Sequence, residues 1–243
     1  MTPETLHALM EASWPAAFIH RVGPWTIREG QGGGSRVSAA TAATKWQPED
    51  IALAEHAMEA LFQPSLFMIR EGESDLDQAL EMRGYGIKDP VIAYAAPTAD
   101  LADPVPSAMA AFPHWPPLAI ARSLWSDAGI GPARQAVMDR TGGPKCALLG
   151  RQNDRASGSA FLALHGDAAM LHALEIIPGQ RRRGAARNIL RCAAGWARDQ
   201  GAGQLAVVVT ASNAPARALY ASLGMAVVGG YHYRIREDRG QQA

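Results

Sequence analysis

The sequence predicts an α/β (α+β) fold in which a mixed, mostly antiparallel central sheet is flanked by helices. Three strands are predicted over residues 145–151, 158–165 and 169–177, and the turns QNDRAS and GD between them suit antiparallel neighbours. A helix over residues 184–200 follows, with apolar side chains along one side. It leads to residues 205–209, a continuously apolar run that is typical of a strand buried on both faces. These segments together indicate a sheet covered by helices.

The rest of the chain adds further helices and strands. Thr2 followed by Pro3 predicts a capped helix at the start of the chain, and Asn213 is predicted to cap the helix before the last strand. Residues 25–29 and 36–41 predict two strands, and the GQGGGS segment between them is interpreted as the flexible tip of a hairpin. Further helices are predicted over residues 48–62, 76–85, 122–128 and 132–140, and further strands over residues 66–69, 91–95 and 226–235.

A proline-rich stretch divides the chain. Residues 96–117 are dense in proline and alanine, with prolines at 97, 104, 106, 113, 116 and 117. Proline lacks a backbone N–H and restricts the residue before it, so no regular element is expected in this stretch. The sequence therefore predicts an N-terminal domain over residues 1–97, a linker over residues 98–117 and a C-terminal domain over residues 118–243.

The composition argues against several classes of function. The formal net charge of the 243 residues is zero and lysine occurs only at positions 45, 88 and 145, so no basic field favours nucleic acid. Cys146 and Cys192 form no spaced cluster, which argues against a metal site or a disulfide framework and predicts buried reduced thiols. The N-terminal segment has no basic start followed by an apolar run. Neither a signal peptide nor a membrane span is predicted, and a cytoplasmic location is inferred.

The strongest functional signal lies in residues 176–190, which read IIPGQRRRGAARNIL. This segment runs from the end of an apolar strand, through three consecutive arginines, into the first turns of a helix. Unpaired N–H groups and the positive end of the helix dipole attract an anion at such a position. Gly184 has no Cβ, so a pyrophosphate can approach the backbone closely there. The alternative interpretation is a solvated helix start, which would not need the glycine and the small residues that follow.

Two motifs in suitable order resemble one family. Arg181-x-x-Gly184-x-Ala186 follows the strand, and Asn213-x-x-Ala-x-x-Leu-Tyr-x-x-Leu-Gly-Met lies downstream. Together they resemble the acyl-CoA site of the GNAT superfamily of N-acetyltransferases, over residues 123–236. The resemblance implies a bacterial enzyme that transfers the acetyl group of acetyl-CoA directly to a primary amine, without a metal. The alternative is a non-catalytic acyl-CoA-binding or sensing protein of the same fold.

The resemblance also implies where acetyl-CoA would bind. Backbone groups at the end of the strand would pair with the pantetheine arm as an added strand would. The amides and arginine side chains of the following turn would hold the pyrophosphate. The helix pair over residues 122–128 and 132–140 would lie across the acceptor side of the cleft. The implied cofactor-binding residues are Ile176, Ile177, Arg181, Arg182, Arg183, Gly184, Ala185, Ala186 and Asn213.

Two residues are candidates for the base that deprotonates the amine. Glu175 interrupts an apolar run, and a cleft position would explain a carboxylate that is costly to bury. His172 lies in Leu-His-Ala-Leu, which is similar to a strand of serotonin N-acetyltransferase whose histidine relays a proton through water. A hydrogen-bonded core histidine is the alternative for His172. Strand alternation places Glu175 and His172 on opposite faces unless a bulge intervenes.

Tyr220 is the candidate acid. On the superfamily pattern, its hydroxyl lies close to the CoA sulfur and protonates the departing thiolate. Simple packing in the core is the alternative for an aromatic side chain at this position.

The two halves of the sequence echo each other. LDQALEMRGY and a strand containing Tyr94 overlay ARALYASLGM and a strand containing Tyr233, so that Leu80 falls where Tyr220 stands and Gly84 meets Gly224. We therefore expect a tandem arrangement whose N-terminal GNAT-like unit is degenerate. The acceptor, a small molecule or a peptide amine, cannot be read from the sequence. The expected partners exclude nucleic acid and membrane and include a possible second copy in a homodimer.

Overall fold

The computed structural model describes residues 1–236 of the chain. The strands are β1 (Phe18–Val22), β2 (Trp25–Glu29), β3 (Thr41–Ala42), β4 (Leu66–Arg70), β5 (Gly86–Pro97), β6 (Ala111–His114), β7 (Lys145–Gln152), β8 (Arg155–His165), β9 (Ala168–Ile176), β10 (Gln204–Thr210) and β11 (Ala226–Ile235). The helices are α1 (Pro3–Ser13), α2 (Ile51–Ala60), α3 (Ser74–Met82), α4 (Thr98–Ala102), α5 (Ala119–Asp127), α6 (Pro132–Arg140), α7 (Ala185–Asp199) and α8 (Ala214–Ser222). The predicted class, a mostly antiparallel sheet flanked by helices, is confirmed.

Two helix starts follow directly from their capping residues. The Thr2 hydroxyl accepts a hydrogen bond from the Thr5 N–H at 3.3 Å, and Pro3 opens α1. The Asn213 side chain accepts from the Ala216 N–H at 3.1 Å at the start of α8. Each side chain satisfies one of the N–H groups that a helix start leaves without an intrahelical partner. The predicted starts of both helices are therefore confirmed.

Three predictions about the first half were wrong in detail. Residues 36–41 were expected to form a strand, but Ser35–Val37 forms a 3-10 turn, Ala40 makes an isolated bridge to Phe67, and the strand β3 is limited to Thr41 and Ala42. Strand β1 was not predicted, because it is exposed and its apolar and polar residues do not alternate cleanly. The stretch over residues 98–117 contains α4 and β6 despite its prolines. It tolerates them because β6 lies at the edge of its sheet, where a missing N–H removes no ladder bond.

The chain packs into two compact units that are interleaved in sequence. The first comprises residues 1–15, 93–209 and 213–228, and the second comprises residues 16–92, 210–212 and the described residues from Gly229 onward. These packing units divide the chain at other positions than the predicted boundaries near residues 97 and 118. The tandem arrangement of domains stays a prediction.

The first unit is built on the strand order β10-β9-β8-β7-β6, with the C-terminal part of β5 beside β10. The β6–β7, β7–β8 and β8–β9 pairs are antiparallel, and β9–β10 is parallel. Helix α1 packs against β8 and β9, whereas α7 packs against β6 to β9. Phe161 of β8 contacts Trp14 just after α1, and a Cβ on Gly150 of β7 would meet Ile189 of α7. Phe161 pairs with Ala147 of β7, and Ala147 and Gly150 are three residues apart, so they point to opposite faces of the sheet. Helices α1 and α7 therefore lie on opposite faces of the sheet.

The second unit contains a three-stranded sheet, β1-β2-β3, and the antiparallel pair β4–β11. Trp25, Phe67 and residues of α2 and α3 form its core. Side chains of β11 alternate between the two faces of the strand. Tyr231 and Tyr233 have ring centroids 5.5 Å apart. On the other face, the Asp77 carboxylate lies 2.7 Å from both His232 Nε2 and Arg234 Nε.

The sequence echo has a local counterpart in each unit. Gly84 after α3 and Gly224 after α8 both have left-handed φ angles, +82° and +75°. The next residue in each case donates its N–H across the turn, from Tyr85 to the Leu80 carbonyl and from Met225 to the Tyr220 carbonyl, both at 3.1 Å. Glycine ends helices in this way because it has no Cβ to oppose a positive φ.

We predict that Leu9→Ala lowers the free energy of unfolding by about 2–5 kcal/mol, because this fully buried side chain of α1 packs on the sheet. Denaturant titration would measure the change. The matched control is Leu118→Ala, at a 42% exposed position of the same unit, which should cost about 1 kcal/mol or less. Equal losses in the two variants would contradict the described packing of α1.

Candidate active site

The two central parallel strands of the first unit separate part of the way along their length. Among the described residues, the β9–β10 ladder runs from the Ala168–Gln204 pair to the Leu171–Val207 pair. Beyond it, β9 continues to Ile176 and β10 to Thr210. Backbone groups on the open edge of β9 are therefore presented to a V-shaped gap. Ligands commonly bind at such sites because unpaired N–H and C=O groups need partners.

A β-bulge lies in β9 where the strands separate. Glu175 pairs with Ser159 of β8, and His172 pairs with Phe161, so β9 holds one residue more than β8 across this interval. Ala173 has a φ of +51°, which is uncommon for a residue with a Cβ. Ser159 and Phe161 are two residues apart and share a face, and directly opposed residues point the same way. The bulge therefore brings Glu175 and His172 to one face.

Trp125 of α5 holds this bulge. Its side chain is fully buried, and its indole N–H donates to the Ala173 carbonyl at 3.0 Å. On the other side of β9, Gly158 of β8 makes room, because a Cβ there would lie 2.3 Å from the Glu175 carbonyl oxygen. Neither residue was predicted from the sequence to belong to this site. No sequence pattern marks a single tryptophan in a helix, or a single glycine in a strand, as a neighbour of β9.

Glu175 lies half-buried at the open end of β9. Burial raises the pKa of its carboxyl group above the ordinary value, and the Arg181 guanidinium offsets part of this rise. Such a carboxyl group is a stronger base than an exposed one.

His172 lies in a hydrogen-bonded core environment. Its imidazole is buried and its ring lies 5.0 Å from the Trp14 ring and 6.2 Å from the Phe161 ring, measured between centroids. Nε2 lies 2.9 Å from the Ser13 hydroxyl oxygen. Because that hydroxyl donates to the Leu9 carbonyl at 2.6 Å, Nε2 must be the donor in the bond to Ser13. This bonding fixes the orientation of the ring.

The arginine turn and the start of α7 form an exposed, positively charged corner. Arg181, Arg182 and Arg183 are exposed, and Arg182 and Gly184 have left-handed φ angles of +63° and +87°. Gln152 donates its side-chain amide to the Arg183 carbonyl at 3.0 Å and so holds the turn against β7. The first turn of α7 lies within the described residues and contains no acidic side chain. The N–H groups at this helix start are oriented for an anion.

Ile176 and Ile177 were both predicted to pair with a ligand through their backbone groups, and only Ile176 presents these groups to the gap. The Ile177 N–H donates to the Ser157 carbonyl at 2.9 Å, toward β8, so a bond within the sheet replaces the predicted pairing of this N–H with a ligand. Backbone groups of successive strand residues point to opposite edges. The Ile176 carbonyl accepts from Arg181 Nε at 3.1 Å on the open edge. Ile176 and, two residues earlier, Leu174 therefore face the gap.

Tyr220 lies near Glu175 and is the buried residue of α8. Burial, with contributions from Glu175 and Tyr94, raises the pKa of its hydroxyl to about 12. The Tyr94 ring lies 5.6 Å from the Tyr220 ring, and the Tyr94 hydroxyl accepts from Arg217 Nε at 3.4 Å. Glu175 and Tyr220 are thus coupled electrostatically. Tyr94 comes from the first half of the sequence, where no motif marked it as part of this site.

Two negative findings concern other classes of site. Within residues 1–236, no three His, Cys, Asp or Glu side chains are grouped so that they could hold a metal ion. No helix in this part of the chain is long and apolar enough to cross a membrane.

Comparison with known proteins identifies the class that this fold and site define. Residues 115–225 match the sequence model of the acetyltransferase (GNAT) family. The chain is 24% identical to the uncharacterized N-acetyltransferase YobR of Bacillus subtilis (strain 168), over 95% of this chain and 97% of the relative. The protein therefore carries a GNAT domain and has N-acetyltransferase homologues.

Solved structures show the same fold. A GCN5-related N-acetyltransferase from Kribbella flavida superposes with a TM-score of 0.72 at 16% identity, over 99% of this chain and 97% of that one. A tandem GNAT protein from the clavulanic acid biosynthesis pathway superposes with a TM-score of 0.61 at 13% identity, over 82% and 75% of the two chains. The GNAT domain expected from the sequence is confirmed, and the solved structures share the fold of this chain. Acetyl transfer from acetyl-CoA to an amine is the general reaction of this family.

We predict that Glu175→Gln raises thermal stability at neutral pH. A raised carboxyl pKa in the folded state means that stability is fully present below the unfolded pKa and falls as the pH rises through the folded pKa. Glutamine cannot ionise and avoids this fall. The melting temperatures of variant and parent should therefore match below pH 4.5, diverge as the pH rises above 4.5, and differ by a constant amount once the pH exceeds the folded-state pKa.

Glu71→Gln is the control for this prediction, because it makes the same chemical change at an exposed position. Its difference from the parent should not grow in the same way. A pH-independent difference for Glu175→Gln would show that the carboxylate is not desolvated in the folded protein.

Proposed function

We propose that the protein is an N-acetyltransferase that transfers the acetyl group of acetyl-CoA directly to the primary amine of a small molecule or peptide. The observation that carries this proposal is the separation of β9 from β10 at a bulge, with Glu175 on the open edge and a positively charged helix start beyond it. Acetyl-CoA is a thioester with an extended arm and a pyrophosphate, and the site offers a feature for each part. We place the reaction in the cytoplasm, where acetyl-CoA is available.

The residues present fit acetyl-CoA. Backbone groups of Leu174 and Ile176 face the gap and would pair with the pantetheine arm as an added strand. The amides of residues 182–186 and the arginines beside them would hold the pyrophosphate. A Cβ at Gly184 would meet no other atom within 4 Å, so the space beside this backbone is open. Asn213 caps α8 and would contribute to acetyl-CoA binding indirectly, through that helix.

Glu175 is proposed as the base. An alkylammonium group has a pKa of about 10.4, so it must lose a proton before the nitrogen can attack the thioester carbon. Glu175 is partly accessible and its pKa is raised, both of which suit a base, directly or through water. His172 is less suited, because Ser13 occupies Nε2 and two aromatic rings enclose the imidazole. We therefore assign His172 to the support of β9.

Tyr220 is proposed as the acid. When the new C–N bond forms and the C–S bond breaks, the sulfur must take up a proton. With a pKa of about 12, the Tyr220 hydroxyl holds its proton at neutral pH and can donate it. A thiol has a pKa of about 8.5 and its thiolate is already a fair leaving group, so the donor assists but is not indispensable.

We predict that Gly184→Leu weakens acetyl-CoA binding at least about tenfold in calorimetric titration, because a side chain would fill the space that a pyrophosphate needs. The φ of +87° also strains any substitution at this position. Gly201→Leu is the matched control, since Gly201 has a φ of +90° and an equally open Cβ position at the opposite end of α7. It should bind acetyl-CoA like the parent. Absence of binding in the parent would refute the proposal itself.

We predict that Tyr220→Phe lowers kcat by about 10- to 100-fold without changing the affinity for acetyl-CoA, because only the proton donor is removed. Initial rates with a panel of amines would measure kcat, and calorimetry would measure the affinity. Unchanged turnover would exclude Tyr220 as the acid. If the parent binds acetyl-CoA and acetylates no amine of a broad panel, a non-catalytic acyl-CoA-binding protein would replace the proposed enzyme.

A further inference from the structure

Tyr220 holds an unusual place in its helix. It is the buried residue of α8, while the other residues of this helix are at least partly exposed. The Tyr220 side chain is thus a main packing contact of α8, beside the hydrogen bond that the Ser222 hydroxyl accepts from Arg187 at 3.0 Å. The orientation of the Tyr220 ring, and with it the direction of its hydroxyl, therefore depends on what the ring packs against.

Tyr94 provides this contact. It lies in β5, is 6% exposed, and its ring centroid is 5.6 Å from that of Tyr220 with an interplanar angle of 49°. Tilted aromatic pairs at this separation are attractive beyond their burial of area. The contact is therefore a defined packing arrangement between one strand and one helix.

Arg217 holds the other end of the Tyr94 side chain. Its Nε donates to the Tyr94 hydroxyl at 3.4 Å. Arg217 and Tyr220 are three residues apart in α8 and so share a face of the helix. Helix α8 thus contacts Tyr94 at two points, the hydroxyl group and the ring.

We propose that Tyr94 is a positioning residue that fixes the Tyr220 ring in the orientation required for proton donation. This inference rests on the proposed function. Tyr94 acts through Tyr220 and not on the substrate. The ring of Tyr94 should therefore matter more than its hydroxyl, and its effect should vanish when Tyr220 can no longer donate a proton.

A kinetic double-mutant cycle tests this inference. Tyr94→Leu removes the ring and should lower kcat about tenfold, a loss of the size that misplacement of a catalytic group causes. Tyr94→Phe keeps the ring and should recover most of the parental kcat. In the Tyr220→Phe background, Tyr94→Leu should change kcat by less than about twofold, because coupled residues are not additive.

Controls separate positioning from general damage. The rate is expressed per acetyl-CoA-binding site counted by calorimetry, so unfolded protein does not enter kcat. Tyr85→Leu makes the same change at a buried tyrosine of the second unit and should leave kcat per site unchanged. The acetyl-CoA dissociation constant should stay within about twofold of the parental value in each Tyr94 variant.

Three results would overturn the inference while the proposed function stands: an unchanged kcat in Tyr94→Leu, the same loss in both backgrounds, or a loss in Tyr94→Phe as large as in Tyr94→Leu. The last would assign the role to the hydroxyl. A parent protein without any acetyl transfer would refute the proposed function and this inference together.

Discussion

The hydrogen bond from the Trp125 indole to the Ala173 carbonyl holds the bulge on which the site depends. The extra residue rotates the end of β9 so that Glu175 and His172 share a face. It also lies directly after the last β9–β10 pair, where the two strands part. A buried carbonyl displaced from its ladder must find another donor, and Trp125 supplies it. One bond thus joins the fold of the sheet to the opening of the gap.

The surroundings of this bond are fixed by further buried contacts. The Gln135 side chain donates to the Ile130 carbonyl at 2.9 Å and to the Arg122 carbonyl at 3.1 Å, and so ties α6 to α5. Helix α5 in turn carries Trp125. Since a left-handed φ at a residue such as Ala173 costs about 1–2 kcal/mol, the bulge persists only because its neighbours hold it. The hydrogen bond from Trp125 and the close approach of β8 at Gly158 hold the bulge in place.

Local sequence signals predicted the elements but not how they meet. The caps at Thr2 and Asn213, the apolar period of α7 and the arginine turn before it all act over a few residues, and the structure agrees with them. The bulge could not be predicted, because an alanine gives no sign of a positive φ. Strand alternation without a bulge placed Glu175 and His172 on opposite faces. The bulge is imposed by a tryptophan 48 residues away, which no local pattern encodes.

The site of the first unit also draws on the first half of the sequence. Ser13 of α1 fixes His172, and Tyr94 of β5 packs on Tyr220. Neither residue belongs to residues 115–225, the part that matches the family. A chain reduced to that part would lose the helix that covers β8 and β9 and the strand beside β10. The first half of the sequence therefore helps to complete the core around the candidate catalytic residues.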